Sequence, residues 1–152
     1  MRIAINGMGR IGRLLFRRLI ENDQFEIVAV NDIMAPENLA YLLKYDSIYG
    51  AFKPEIIIEE SALVVDGKKI MALRSSDPET LPWKELNVDV VLECSGKFTD
   101  QASAEKHLHA GSKKVLLSTA GAEDIPLLID GLNQSRCSAG LKVVSAGGCM
   151  TN

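Results

Sequence analysis

Short runs of consecutive apolar residues recur along this chain, and helix-period stretches separate them. Arg2-Ile-Ala-Ile-Asn6, Glu26-Ile-Val-Ala-Val-Asn-Asp32, Val88-Asp-Val-Val-Leu-Glu-Cys94 and Lys114-Val-Leu-Leu-Ser118 each end on small or polar residues. Near-continuous apolar runs of this kind are typical of strands buried on both faces of a parallel sheet. Leu127-Leu-Ile-Asp-Gly and Leu141-Lys-Val-Val-Ser145 read as two further strands. Between the first two runs, Ile11, Leu14, Leu15, Leu19 and Ile20 repeat with helical period, joined by the aliphatic stem of Arg18. Pro36 is suited to start a second helix, through about Lys44. Asp100 can cap a third, running to about Ala110 with Gly111 as its stop.

Residues 52–74 follow a different rhythm. Glu55-Ile-Ile-Ile-Glu59, Ala62-Leu-Val-Val65 and Lys69-Ile-Met-Ala-Leu73 are short strands, and Asp66-Gly67 is a strong hairpin signal. Asp77 to Leu86 reads as a loop holding one short helix. The order predicts an α/β fold: a Rossmann-type, doubly wound, mostly parallel sheet, interrupted by a small antiparallel insertion around residues 52–74. No repeat, linker or low-complexity tract divides the chain, so residues 1–152 are read as one domain.

Composition narrows the class only modestly. Hydrophobic residues at 47% and charged residues at 24% suit a globular protein with a buried core. A formal net charge of −3 gives no reason to expect nucleic acid or an anionic membrane as the main partner. The strand-like start meets a glycine loop within six residues, which leaves no room for a signal peptide. No apolar run approaches the roughly 20 residues needed to span a bilayer. Cys94, Cys137 and Cys149 form an odd set without metal-type spacing, which points to free thiols in a reducing compartment, with the cytoplasm as the expected location.

The candidate chemistry begins at Gly7-Met-Gly9-Arg-Ile-Gly12. It follows the first strand and opens the first helix, and Asp32 lies twenty positions beyond the last glycine. In a dinucleotide-binding βαβ unit the first glycine allows a tight turn and the second lets backbone approach a pyrophosphate. The third lets the helix pack closely, with its N-terminus facing the phosphates. An acid at the end of the second strand accepts from the adenosine ribose hydroxyls and repels a 2′-phosphate, favouring NAD over NADP. The plainer reading of Asp32 is an acid that merely ends a strand. Arg10 is suited to meet the pyrophosphate or to stand solvated in the first turn.

Ligands of open α/β sheets bind beyond the carboxyl ends of the strands. Asn6-Gly7, Asn31-Asp32, Ser95-Gly96, Ser118-Thr119 and Ser145 through Cys149 occupy those ends, and almost all are small or polar. Cys149 follows Gly147-Gly148. It is either a small buried cysteine or a nucleophile whose thiolate and oxyanion are favoured by helix amides. Cys94 sits inside a strand and Cys137 in a polar loop, so both read as non-catalytic. His107 and His109 are two apart near a helix end, on different faces, and read as surface residues.

Longer motifs carry a resemblance. Ile5-Asn-Gly-Met-Gly-Arg-Ile-Gly-Arg13, Leu43-Lys-Tyr-Asp-Ser47, Val65-Asp-Gly-Lys-Lys-Ile70, Asp77-Pro78 and Leu81-Pro-Trp83 all resemble the NAD-binding domain of the glyceraldehyde-3-phosphate dehydrogenase family. Val88-Asp-Val-Val-Leu-Glu-Cys-Ser-Gly-Lys-Phe-Thr-Asp100 and Ala110-Gly-Ser-Lys-Lys-Val115 do so too, and the similarity covers essentially the whole chain. The resemblance implies that the glycines and Arg10 hold the NAD diphosphate and Asp32 the ribose. Ser95, Gly96 and Phe98 would line the adenine side, with Ser118 and Thr119 under the nicotinamide half. The implied cofactor-binding set is Gly7, Gly9, Arg10, Ile11, Gly12, Asn31, Asp32, Ser95, Gly96, Phe98, Ser118 and Thr119. Cys149 matches the nucleophile that forms a thiohemiacetal and then a thioester attacked by phosphate.

Three departures qualify that picture. Ser145-Ala-Gly-Gly-Cys-Met-Thr-Asn152 stands where the family usually has Ser-Asn-Ala-Ser-Cys-Thr-Thr-Asn, so Gly148 and Met150 replace hydroxyl residues beside the phosphate pocket. Ser118-Thr-Ala120 stands for Ser-Ala-Pro, and Met8 for the usual Phe. Fewer hydroxyl donors weaken a dianion pocket, which bears on the acyl acceptor. In the family, the catalytic histidine, a substrate-anion arginine and the homotetramer-forming surface belong to a second domain beyond Asn152. The expectation is therefore a cofactor domain of a longer aldehyde-phosphate dehydrogenase, with little turnover alone and an exposed apolar face. The alternatives are a relative acting on another aldehyde, such as erythrose 4-phosphate or a non-phosphorylated one, and a non-catalytic NAD-binding module.

Overall fold

A computed structural model describes residues 1–138 and 140–148. Its frame is an eight-stranded sheet. In chain order the elements are β1 (Arg2–Asn6), α1 (Arg10–Leu19), β2 (Glu26–Asn31), α2 (Pro36–Lys44), β3 (Tyr45–Asp46), β4 (Gly50–Ala51), β5 (Ile56–Glu59), β6 (Ala62–Val65) and β7 (Lys68–Leu73). They continue with β8 (Val90–Glu93), α3 (Gln101–His109), β9 (Lys114–Leu117) and β10 (Val143–Ser145). The strand order across the sheet is β10-β9-β8-β1-β2-β7-β6-β5, and β3 and β4 form a separate two-stranded ribbon.

β1 lies at the centre because its residues 3–5 are apolar and fully buried on both faces. It pairs in parallel with β2 on one side and with β8 on the other. The chain moves outward from β1 in one direction, then returns to build the other half. That makes the β1/β8 boundary the topological switch point, where ligands of such sheets bind. Ile3 and Ile5 face α1 and α2 in a core with Phe16, Leu39 and Leu43. Ala4 faces the opposite layer, against Trp83 and Val91. There α3 completes a smaller cluster through Ala104, Val115, Leu117 and Val143.

The antiparallel segment extends the sheet rather than interrupting it. β7 pairs in parallel with β2, and β6 runs antiparallel to both β7 and β5. Asp66 and Gly67 both have positive φ, 46° and 79°, which is the conformation a tight two-residue hairpin needs. The turn reverses the chain, but the continuous apolar run of β7 makes it an acceptable parallel partner for β2. The expected strand at Leu127–Asp130 shrinks to a single parallel bridge, Leu127 to Ser145. Pro126 has no N–H to donate there, and the segment is largely exposed.

Beside α1, the same layer is open over β1, β8 and β9. Ile3, Val90, Leu92 and Leu116 together with Ile11, Leu15 and Leu19 line an apolar groove of about 540 Å³. Among the described residues, no helix is long and apolar enough to cross a membrane.

Candidate functional site: a cleft at the switch point

The glycine turn is shaped by contacts that exclude side chains. Gly7 follows β1 with φ +91°, and a Cβ there would fall on Ser95, 2.5 Å from its Cα. Gly12 lies under the turn, where a Cβ would strike the carbonyl oxygen of Gly7. Gly9 differs, because a Cβ there would meet no atom within 4 Å. Its missing side chain is therefore not required by the protein's own packing. It leaves open space over the start of α1, which is what close approach of a ligand to the backbone requires. Among the described residues, no side chain caps α1 through Gly9, and the helix's first turn carries no acid.

Asp32 directly follows β2 and is tied to that turn. Its Oδ2 accepts the Met8 N–H at 2.6 Å, and its Oδ1 accepts the Met34 N–H at 3.0 Å. A carboxylate has about four acceptor positions, so about two remain open to a hydroxyl-bearing ligand. The Gly7 N–H in turn donates to the Asn31 carbonyl at 2.8 Å. Glycine turn and acid are thus one hydrogen-bonded unit, half-buried at the rim.

Around this unit opens a cleft of about 210 Å³. It gathers Gly7, Gly9, Asn31, Asp32, Ser95 and Phe98 of the expected residues, and adds Asn6, Ile33, Ser75, Ser76, Cys94 and Lys97. Gly96 stands exposed beside it with φ +70°. Arg10 is the exposed first residue of α1, outside the cleft lining. Ile11, 46% exposed, and Ser118 lie instead in the apolar groove, together with Gly147 and Gly148. Thr119 is placed by its carbonyl, which accepts the Ser145 hydroxyl at 2.6 Å. The expected set is thus divided, some residues lining the cleft and others the apolar groove. Cys149 lies outside the described residues.

A buried polar row runs inward from the cleft: Asn6 and Asn31 were expected at the strand ends, whereas the roles of Glu93 and His107 were not. Asn6 pairs in register with Asn31 on one side and Glu93 on the other. Asn31 Nδ2 donates to Asn6 Oδ1 at 2.7 Å, and Asn6 Nδ2 donates to Glu93 Oε2 at 2.6 Å. His107 also reaches Glu93 Oε2, at 2.9 Å, and it is fully buried, which corrects its reading as a surface residue. Its helix packs against β9 and β10, and the ring is turned inward, while His109 stays exposed beside Glu79. A glutamate within an apolar strand, Val-Val-Leu-Glu93, was the available signal, since a buried acid needs partners.

Cys94 lines the cleft just beyond the end of β8. Burial pushes its thiol up to about 11, with the Glu93 charge adding to the effect and a hydrogen bond with Ser118 opposing it. A thiol held protonated in this way is a poor nucleophile at neutral pH.

Comparison with known proteins agrees with this geometry. The sequence profile of the family described as glyceraldehyde 3-phosphate dehydrogenase, NAD binding domain, matches residues 1–101. The chain is 44% identical to glyceraldehyde-3-phosphate dehydrogenase of Mycoplasma pneumoniae, with 100% of this chain and 45% of that protein covered. It is 45% identical to the Clostridium pasteurianum protein of the same name, covering 99% of this chain and 45% of the relative. Against glyceraldehyde-3-phosphate dehydrogenase 2 of Bacillus subtilis it is 41% identical, again with 100% and 45% covered. The chain spans about half the length of the curated relatives it matches. With a doubly wound sheet, a glycine turn over an open helix start and an acid locked to that turn, the chain belongs to the glyceraldehyde-3-phosphate dehydrogenase family, whose NAD-binding domain it represents.

Proposed function

We propose that this chain is the cofactor-holding half of an NAD-dependent aldehyde-phosphate dehydrogenase acting on glyceraldehyde 3-phosphate in glycolysis. The observation that carries the reading is the unit of Gly7, Gly9, Gly12 and Asp32. Its one glycine without a packing reason, Gly9, faces open space at a helix start. Gly7, Gly9, Arg10, Ile11 and Gly12 would hold the diphosphate through backbone amides and the arginine charge. Asn31 and Asp32 would hold the ribose, and Ser95, Gly96 and Phe98 would line the adenine side. Ser118 and Thr119 would support the nicotinamide half. Bound NAD supplies a hydride acceptor.

Cys149 would attack the aldehyde carbon and carry the acyl group as a thioester. Thiolate formation at neutral pH requires a base, and neither histidine here fits that role. His107 is sealed against Glu93 and Trp83, and His109 sits at the far end of α3. The base and the groups that bind the substrate anion would belong to the further half of the relatives' length, with the apolar groove beside α1 as its packing surface. The parent would be a cytoplasmic homotetramer. The glycine and methionine flanking Cys149, Gly148 and Met150, favour a second reading in which another aldehyde or acyl acceptor is used.

Calorimetric titration of the chain with NAD and NADP tests the cofactor reading. Saturable binding that prefers NAD is expected, and a folded sample without it overturns the assignment. In a full-length protein, comparing acyl transfer to phosphate and to water separates the two enzymatic readings.

A further inference from the structure

Glu93 receives four hydrogen bonds in a buried site. Asn6 Nδ2 and His107 Nε2 meet Oε2 at 2.6 and 2.9 Å, and the Ser95 N–H meets Oε1 at 2.7 Å. The Ser95 hydroxyl donates to that same oxygen. Only 1% of the residue is exposed. The direction of each bond is set from outside the carboxylate. The indole N–H of Trp83 can only donate, and it donates to His107 Nδ1 at 3.0 Å. His107 must therefore carry its proton on Nε2 and donate it to Glu93. Asn6 is fixed in the same way, since its Oδ1 accepts from Asn31. Asn31 Oδ1 in turn accepts the Ser75 N–H at 2.9 Å. A one-way chain of donors thus converges on one carboxylate from the ends of β1 and β2 and from α3.

Two of the groups Glu93 holds, Asn6 and Ser95, are walls of the cleft, while the carboxylate itself does not line it. Resting on the reading of that cleft as the dinucleotide site, we propose that Glu93 is its positioning residue. Held by His107 on the closed side, it fixes the Ser95 backbone against Gly7 and the Asn6 carboxamide at the strand ends. The cleft is thereby shaped before any nucleotide enters. Satisfied buried networks of this kind confer rigidity, whereas one mismatched partner leaves buried donors unpaired. An amide at position 93 presents N–H groups to donors whichever way it turns.

The test uses Glu93→Gln, His107→Leu and His107→Gln in the same chain. Nucleotide affinity is read by calorimetry, folding by circular dichroism and thermal melting, and the network by the emission of Trp83, the single tryptophan. Glutamine at 107 can still donate to Glu93, but it leaves the Trp83 N–H without its ring acceptor, as leucine does. Both His107 variants should therefore change Trp83 emission. Only His107→Leu and Glu93→Gln should weaken NAD binding, by about tenfold, with His107→Gln within about threefold of wild type. Wild-type binding with unchanged affinity in folded Glu93→Gln overturns the inference alone. Equal losses in both His107 variants, or loss of fold in Glu93→Gln and His107→Leu, would assign the network to stability and overturn it too. No NAD binding by the wild-type chain overturns the cofactor reading and this inference together.

Discussion

Asp32 and Met8 are joined by a 2.6 Å hydrogen bond in which the backbone N–H at the tip of the glycine turn donates to the acid that follows β2. The acid therefore has two duties. It anchors the glycine turn beside the cleft, and it keeps acceptor positions free at the rim.

Asp32→Ala removes both at once. NAD affinity should fall at least about tenfold, because a charge-assisted acceptor is lost along with the anchor of the turn. Preference for NAD over NADP should shrink as well, since the repulsion toward a 2′-phosphate disappears. Parallel titrations with the two nucleotides measure both effects, and an unchanged NAD affinity would remove the ribose role from Asp32.

Gly9→Ala and Gly12→Ala should separate binding from folding. At Gly9 the added methyl meets nothing of the protein, and the backbone is extended (φ −66°, ψ −163°), so stability should move by less than about 1 kcal/mol while NAD affinity drops. At Gly12 the methyl strikes the Gly7 carbonyl, and overpacking of that kind costs about 1–3 kcal/mol. Denaturant melts and nucleotide titrations of both variants check the contrast. A folded Gly9→Ala that binds NAD normally would count against backbone approach at that residue.

Acid should weaken α3. Asp100 caps it by accepting the Ser103 N–H at 3.0 Å, and the Ser103 hydroxyl and amide hold its carboxyl below the ordinary value of 3.8. A group whose folded value is depressed contributes stability that is fully present above its unfolded value and disappears as pH falls through the lower folded one. Asp100→Asn should therefore melt below the wild type at about pH 6, and the gap should narrow below about pH 4. Thermal melts of both proteins across that range would show it; a gap independent of pH would exclude the charge as the source.

Alkylation should distinguish the cysteines. Cys137 is exposed, whereas Cys94 is half-buried and its thiol is pushed up to about 11. Since the thiolate is the reacting form, Cys94 should label far more slowly than Cys137 with iodoacetamide at neutral pH, and should speed up as the solution becomes alkaline. Peptide mass spectrometry after timed quenching reads both rates, and equal labelling would contradict the protected environment of Cys94.

Much of this protein was determined by local sequence. The glycine spacing, the Asp66-Gly67 turn, the Asp100 cap and the apolar runs each constrain a few neighbouring residues. Steric and hydrogen-bonding rules act at that range, so strands, helices and the glycine turn with its following acid were legible. The rest depends on alignment between segments far apart in the chain. Asn6, Asn31 and Glu93 form a row because the registers of β1, β2 and β8 bring them level. His107 completes that row because α3 packs against β9 and β10. β7 joins the parallel set for a similar reason, since β2 offers it a free edge that no local pattern reveals. Burial then settles what each polar residue does. A glutamate or histidine shut away from water must be hydrogen-bonded, and its partners are supplied by strands and helices far away in the chain.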